Sequence, residues 1–152
     1  MKFCKCLIAI LLIVTLLPIR SFATQNDNNA EGVIYYDDGS YLIVRDITMD
    51  TRATFTKNAV REYTYCNAND EKQWVATFRA TFTYNGTSCT CASSYLSFNI
   101  LNDKWYVVSE EATKSGNVAS CEFTMGYKFL GITTTKKTIS MSITCDKDGN
   151  LS

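Results

Sequence analysis

Residues 73–84 alternate strictly along the chain. Trp74, Ala76, Phe78, Ala80, Phe82 and Tyr84 occupy the even positions, and the odd positions hold Gln73, Val75, Thr77, Arg79, Thr81 and Thr83. A two-residue period of this length predicts a β-strand with one apolar and one largely polar face. The same period returns at Ala119, Cys121, Phe123, Met125, Tyr127 and Phe129, and at Ile139, Met141, Ile143 and Cys145, where Thr138, Ser140, Ser142 and Thr144 take the other face. Leu96, Phe98 and Ile100 share a face in the same way.

Between these segments lie turn signals. Asp37-Asp38-Gly39-Ser40 and Asn85-Gly86 are hairpin turns, and Asn67 to Lys72, Asn102-Asp103-Lys104 and Ser115-Gly116-Asn117 are polar breaks. The strands expected from the pattern cover residues 32–36, 41–48, 60–66, 73–84, 89–101, 105–111, 118–129 and 134–145. Residues 49–58 lose the pattern and read as a linking loop, and Leu130 to Thr133 read as a turn. No helical periodicity is present after residue 23. Short strands joined by short turns predict an all-β fold, an antiparallel β-sandwich of about seven strands, immunoglobulin-like or related. One-sided apolar faces favour a sandwich, with threonine and serine on the solvated faces.

The N-terminus has a different pattern. Lys2 and Lys5 precede an apolar run from Leu7 to Leu17 interrupted only by Thr15. Pro18 breaks it, and Ser21 and Ala23 are small residues spaced for a signal peptidase. Residues 1–23 therefore read as a signal peptide helix cleaved to leave Thr24 as the new N-terminus, and the run is too short for a comfortable membrane span. Residues 24–31 read as a polar, disordered leader, and residues 32–152 as a single domain. Removing 23 of 152 residues leaves 129, enough to bury a core without help from disulfides. The expected location is secreted or extracellular, in association with the cell surface or free of it, with no integral membrane segment after cleavage.

Charge and composition narrow the chemistry. The 15 basic residues less Lys2, Lys5 and Arg20 leave 12 against 15 acids, a net charge of −3. That balance gives no reason to expect nucleic acid or an anionic membrane as a partner. The chain has no histidine, which removes Ser-His-Asp and Cys-His catalysis and imidazole metal sites. Seven cysteines less Cys4 and Cys6 leave Cys66, Cys89, Cys91, Cys121 and Cys145. An exported chain can oxidise them, and an odd number leaves one thiol over after two bridges.

Several motifs have an ordinary explanation that outweighs the functional one. Asp146-Lys147-Asp148-Gly149-Asn150 starts like a calcium loop but lacks the glycine at the sixth position and the glutamate at the twelfth, so a frayed polar turn is expected. Cys89-Thr90-Cys91 lacks the second ligand pair of a metal site and reads as structural. Glu110-Glu111 and Asp37-Asp38 are neighbours on the chain, so each pair points to opposite faces of a strand and neither makes a two-carboxylate hydrolase. Asn85-Gly86-Thr87 is a formal glycosylation sequon in a surface turn. Catalytic residues, metal ligands and cofactors are not expected.

Tyr36-Asp37-Asp38-Gly39-Ser40-Tyr41-Leu42, Tyr63-Thr64-Tyr65, Gln73-Trp74, residues 81–86 (TFTYNG), Lys114-Ser115-Gly116-Asn117 and Leu130-Gly131-Ile132 follow the signal in order. In that order the chain resembles a set of small secreted β-sandwich-like proteins of anaerobic Gram-positive bacteria. The resemblance covers most of residues 32–152. It implies secretion and a β-fold and carries over no functional residue. Within it Cys91 and Cys145 are the cysteines most at home, and it implies them as the disulfide candidates. Through the Leu130–Thr133 turn, Cys145 is expected opposite Ala119, too far from Cys121 for a bridge.

The expected function is a non-catalytic binding or interaction module at or outside the cell surface, toward the cell wall, a glycan or another protein. The alternatives are a carboxylate-based hydrolase and a self-assembling surface or toxin-like protein. Converging acids in a cleft would favour the first, and an exposed edge strand the second.

Overall fold

A computed structural model describes residues 30–49 and 55–152, and the described residues form strands and turns without a helix. The expected signal segment and residues 24–29 lie outside the described residues. Ala30 and Glu31, read above as leader, are instead the first residues of β1.

Eight strands follow in order: β1 (Ala30–Tyr35), β2 (Tyr41–Met49), β3 (Thr56–Cys66), β4 (Lys72–Tyr84), β5 (Cys89–Ile100), β6 (Trp105–Ser115), β7 (Val118–Phe129) and β8 (Ile132–Thr144). β1 to β5 form one antiparallel sheet in sequence order, and β6 to β8 form a second. The expected β-sandwich is present. Its sheets are simple meanders, whereas immunoglobulin sandwiches use Greek-key connections. Within each sheet the connections are only two to six residues long, and so short a link delivers the chain to the adjacent strand position.

β4 forms as its alternation requires. Trp74, Ala76, Phe78, Ala80 and Phe82 are buried against the second sheet. Tyr63 and Tyr65 of β3 stand opposite Ala76 and Trp74, and across the sandwich Tyr63 meets Phe123 and Tyr65 meets Trp105, in a core that Met125 and Ile139 share. Trp74 stacks on Tyr65 with ring centres 5.2 Å apart, and meets Phe123 edge-on at 6.0 Å and Trp105 at 6.2 Å. Offset and edge-on rings add to the burial of apolar area, which is the main stabilising term.

The structure departs from the pattern where partners extend a strand. β3 begins at Thr56, inside the expected loop, because β4 is long enough to pair it: Asn58 lies opposite Thr81, whose hydroxyl donates to Asn58 Oδ1 at 2.9 Å. β6 likewise continues to Ser115 because β7 supplies a ladder partner up to Val118. Gln73, placed by period on a solvated face, is buried. Its side chain accepts from Asn102 Nδ2 at 2.7 Å and donates to the Glu71 carbonyl at 2.9 Å, and its carbonyl accepts from the amides of Leu101 and Asn102. Gln73 thus holds the corner where the chain leaves the first sheet for the second.

The β7–β8 register also differs. The turn is two residues, Leu130-Gly131, with a bulge beside Tyr127 and Lys128, so Ile143 rather than Cys145 lies opposite Ala119. Cys145 sits beyond the ladder and its amide donates to the Asn117 carbonyl at 3.1 Å. The C-terminal turn is ordered, not frayed. Asp146 Oδ1 accepts from the amides of Asp148 and Asn150, the main chains of Thr144 and Ser152 bond each other, and Gly149 lies under the Tyr84 ring.

Candidate functional site

Five of the tight turns are built from the residues such geometry favours. Gly39, Gly86, Gly116 and Gly149 have positive φ after Asp38, Asn85, Ser115 and Asp148, and Asp70 has a φ of 63° after Asn69. Glycine, asparagine and aspartate carry this conformation with least strain. Two apolar residues depart from this, Phe55, with a φ of 78° just before β3, and Leu130 in the β7–β8 turn. Leu130 has a φ of 51° and Gly131 one of 80°, the two left-handed positions of a type I′ hairpin turn, and a leucine occupies the first.

Burial does not explain that leucine. Leu130 is 87% exposed, Ile132 69% and Phe129 54%. Phe129 and Ile132 lie directly opposite each other and therefore share a face. A strained conformation at a fully exposed apolar residue points to a role outside the fold's own stability. Lysines accompany the tip. The Lys128 amide donates to the Lys104 carbonyl at 2.9 Å, which brings the β5–β6 turn alongside, and Lys128 Nζ lies 4.3 Å from the centre of the Tyr106 ring. Lys136 is exposed on β8, and Asp103 is the neighbouring acid.

Two further charged groups occupy inward positions of the sandwich. Lys137 of β8 reaches the β1–β2 turn, with Nζ 3.2 Å from Asp38 Oδ2 and 3.7 Å from the centre of the Tyr36 ring. The Ser40 hydroxyl donates to Asp38, and this bond, with help from Lys137, holds the Asp38 carboxyl below its ordinary range. Burial raises the Tyr36 and Tyr65 phenols beside it. Because Asp38 is depressed, its contribution to stability is complete above the unfolded carboxylate range, near pH ~4, and is lost as pH falls through the lower folded value. Urea midpoints measured from pH 6 to pH 2 should fall, and Asp38→Asn should flatten the acid end of that profile. A profile unchanged by the substitution would contradict this role.

At the other end Arg61 binds Asp46 in a two-point ion pair, with Nη2 2.6 Å from Oδ2. The pair lines an open cleft of ≈ 200 Å³ with Ala59, Ile143 and Leu151. Ligand pockets are usually larger, about 300–1,000 Å³, and here the charges already satisfy one another.

Among the described residues, the cleft is lined by a single acid, Asp46. Glu111 and Glu122 face each other across β6 and β7, but both are exposed on an open sheet face. Asp146, the first residue of the calcium-like run, spends both oxygens on Asp148 and Asn150 of its own turn. No group of three or more acids or cysteines suited to a metal occurs among the described residues. Tyr35 and Tyr41 pair at 5.8 Å but are tilted by 42°, so they do not form the flat platform on which sugar rings stack.

The five described cysteines are unbonded. Cys91 and Cys145, the expected pair, are both buried, and the Cys91 thiol donates to the Ser93 carbonyl at 3.4 Å. The thiol beside Cys145 is that of Cys89. Burial and that contact push the Cys145 thiol up to about 12. Burial alone pushes Cys121 up to about 12, partly opposed by Arg61.

Comparison with protein-family models finds no match to this chain, and comparisons with curated proteins and with solved structures find none either.

Proposed function

We propose that the protein is a secreted, non-catalytic interaction module that touches a lipid–water interface through the β7–β8 tip, as its N-terminal signal and its likeness to small exported proteins of anaerobic Gram-positive bacteria suggest. The observation that carries the reading is the β7–β8 tip: Leu130, apolar, 87% exposed and held at positive φ, is flanked by exposed Phe129 and Ile132, whereas Phe55, the other described apolar residue at positive φ, has its ring against Tyr84. Three apolar side chains at a convex tip offer roughly 500 Å² of contact at most, short of the about 800 Å² per partner of a stable protein interface. A lipid layer needs no complementary surface. Lys104 and Lys128, with Lys136 behind them, outweigh Asp103 and suit anionic headgroups, at about 1 kcal/mol per cation near such a surface. No helix among the described residues is long and apolar enough to cross a membrane, and contact through the tip requires none.

The test separates function from fold. Asn-Gly is the favoured type I′ pair, so Leu130→Asn should leave the hairpin as stable or firmer by about 0.5–1 kcal/mol. Combined with Ile132→Thr it should weaken sedimentation with vesicles of phosphatidylcholine and phosphatidylglycerol by about tenfold or more, since each apolar side chain withdrawn from water contributes roughly 1.5–3 kcal/mol when fully buried. Equal sedimentation of the native and double-variant proteins would refute the reading.

A second reading rests on β1, which among the described residues pairs on one side only, with Val33, Ile34 and Tyr35 exposed at 43%, 51% and 74%. Such an edge accepts another strand. Self-assembly through it predicts a sedimentation coefficient that rises with concentration and stops rising in Ile34→Lys. A concentration-independent monomer excludes it.

A further inference from the structure

We infer that Cys89 and Cys145 are the redox partners of this fold and that a thiol–disulfide oxidant joins them into a bridge fastening β5 to the end of β8. The backbone brings them together from several directions. Cys89 opposes Tyr84 as the outermost pair of β4 and β5. Just beyond it the Gly86 amide donates to the Lys147 carbonyl at 2.9 Å, and the Tyr84 ring covers Gly149. From the other side, the consecutive residues Gly116 and Asn117 hold both segments. The Gly116 carbonyl accepts from the Cys91 amide at 2.7 Å, the Asn117 carbonyl accepts from the Cys145 amide, and Asn117 Nδ2 donates to the Cys145 carbonyl at 2.8 Å.

The side chains follow the backbone. Cys145 is fully buried and Cys89 is half-buried against the same core; the two thiols are neighbours but are not at bonding distance, so closing the bridge needs a side-chain rearrangement. The other cysteines are placed elsewhere. Cys121 faces Arg61 and Tyr63 inside the sandwich, and Cys66 lies by the Tyr41 hydroxyl. Cys91 also neighbours Cys89, but a bridge across a single intervening residue of a strand closes a loop too short to constrain the unfolded chain.

The accessible thiol reacts first. The Cys89 thiolate attacks a sulfur of a small disulfide such as oxidised glutathione, forming a mixed disulfide and expelling one glutathione thiolate. Cys145, once its proton has passed to water, attacks the Cys89 sulfur and expels the second. Two protein thiols lose two electrons and two protons, and the oxidant disulfide becomes two thiols. Burial keeps Cys145 protonated, so this second step is the slow one.

The full chain is reduced, equilibrated in a glutathione redox buffer, blocked with an alkylating reagent and digested with trypsin without reduction. Cys145 lies in residues 138–147, and Cys89 and Cys91 both lie in residues 80–104. The expected product joins these peptides, is two hydrogens lighter than their sum, and fragments at Thr90 to place the link on Cys89. Cys91→Ser should keep the link and Cys89→Ser should abolish it. The oxidised form should melt several degrees above the reduced one, and Cys91→Ser should keep that shift. A link at Cys91 in the native chain, or a Cys145 alkylated as fully as in reduced protein, overturns the assignment.

Discussion

Phe78→Ala should destabilise the protein by about 3–5 kcal/mol, a large share of the 5–15 kcal/mol by which most domains are stable. Phe78 is fully buried in the middle of β4, between Arg61 on β3 and Leu96 on β5. Its neighbours belong to a continuous sheet and cannot collapse into the space, so both the transfer term and the cavity term apply. Thr81→Ala, three residues along on the opposite face, should cost no more than about 1 kcal/mol. Thr81 is half-buried and makes one hydrogen bond, to Asn58. Urea melts of the two variants measure the difference. Equal losses would mean that the face of β4 is wrongly assigned.

Gly126→Ala should cost about 1–3 kcal/mol although it adds one methyl group. Gly126 is buried in β7, and a Cβ there would stand 2.8 Å from ring atoms of Tyr106 and 2.8 Å from Val108 Cγ2. The Tyr106 ring is not free to swing away. Its hydroxyl is 2.6 Å from the Thr133 hydroxyl, and Lys128 lies over its face. In a Tyr106→Ala background the cost should shrink without vanishing, because Val108 remains. A double-mutant cycle in denaturant reads that coupling directly. Strict additivity would show that Tyr106 does not press on Gly126.

Much of the fold is legible from side-chain period. The inward face of β4 and the Ala119–Cys121–Phe123–Met125 face of β7 follow directly from alternation, because a strand can bury only every second residue. Strand ends are not legible in this way. Thr56 and Asn58 are polar and join β3 only because β4 offers ladder partners, a non-local cause. Gln73 has the period of a solvated residue but is buried at the corner it ties together. The β7–β8 register is set by a two-residue turn together with a bulge, and period alone reveals neither.

The candidate surface left a trace that composition overlooks. Leu130-Gly131 is a tight turn without a polar residue, flanked by Phe129 and Ile132. Among turns made of Asp-Gly, Asn-Gly and Ser-Gly, that absence was the signal. Asp46, Arg61 and Lys137 were visible in the same way, as charges at inward positions of otherwise apolar faces. Their partners were not, since Lys137 meets Asp38 from 99 residues away.

The most direct test of the account is a reporter at the tip. Ile132→Trp adds an aromatic residue to an exposed strand position that favours one. The two native tryptophans, Trp74 at 0% exposure and Trp105 at 5%, already sit in the core and serve as a constant background. On addition of phosphatidylglycerol-containing vesicles with brominated acyl chains, the account predicts a blue shift and quenching of the added tryptophan, reversed by Leu130→Asn. Binding to the vesicles with no change at position 132, or no binding at all, would contradict it.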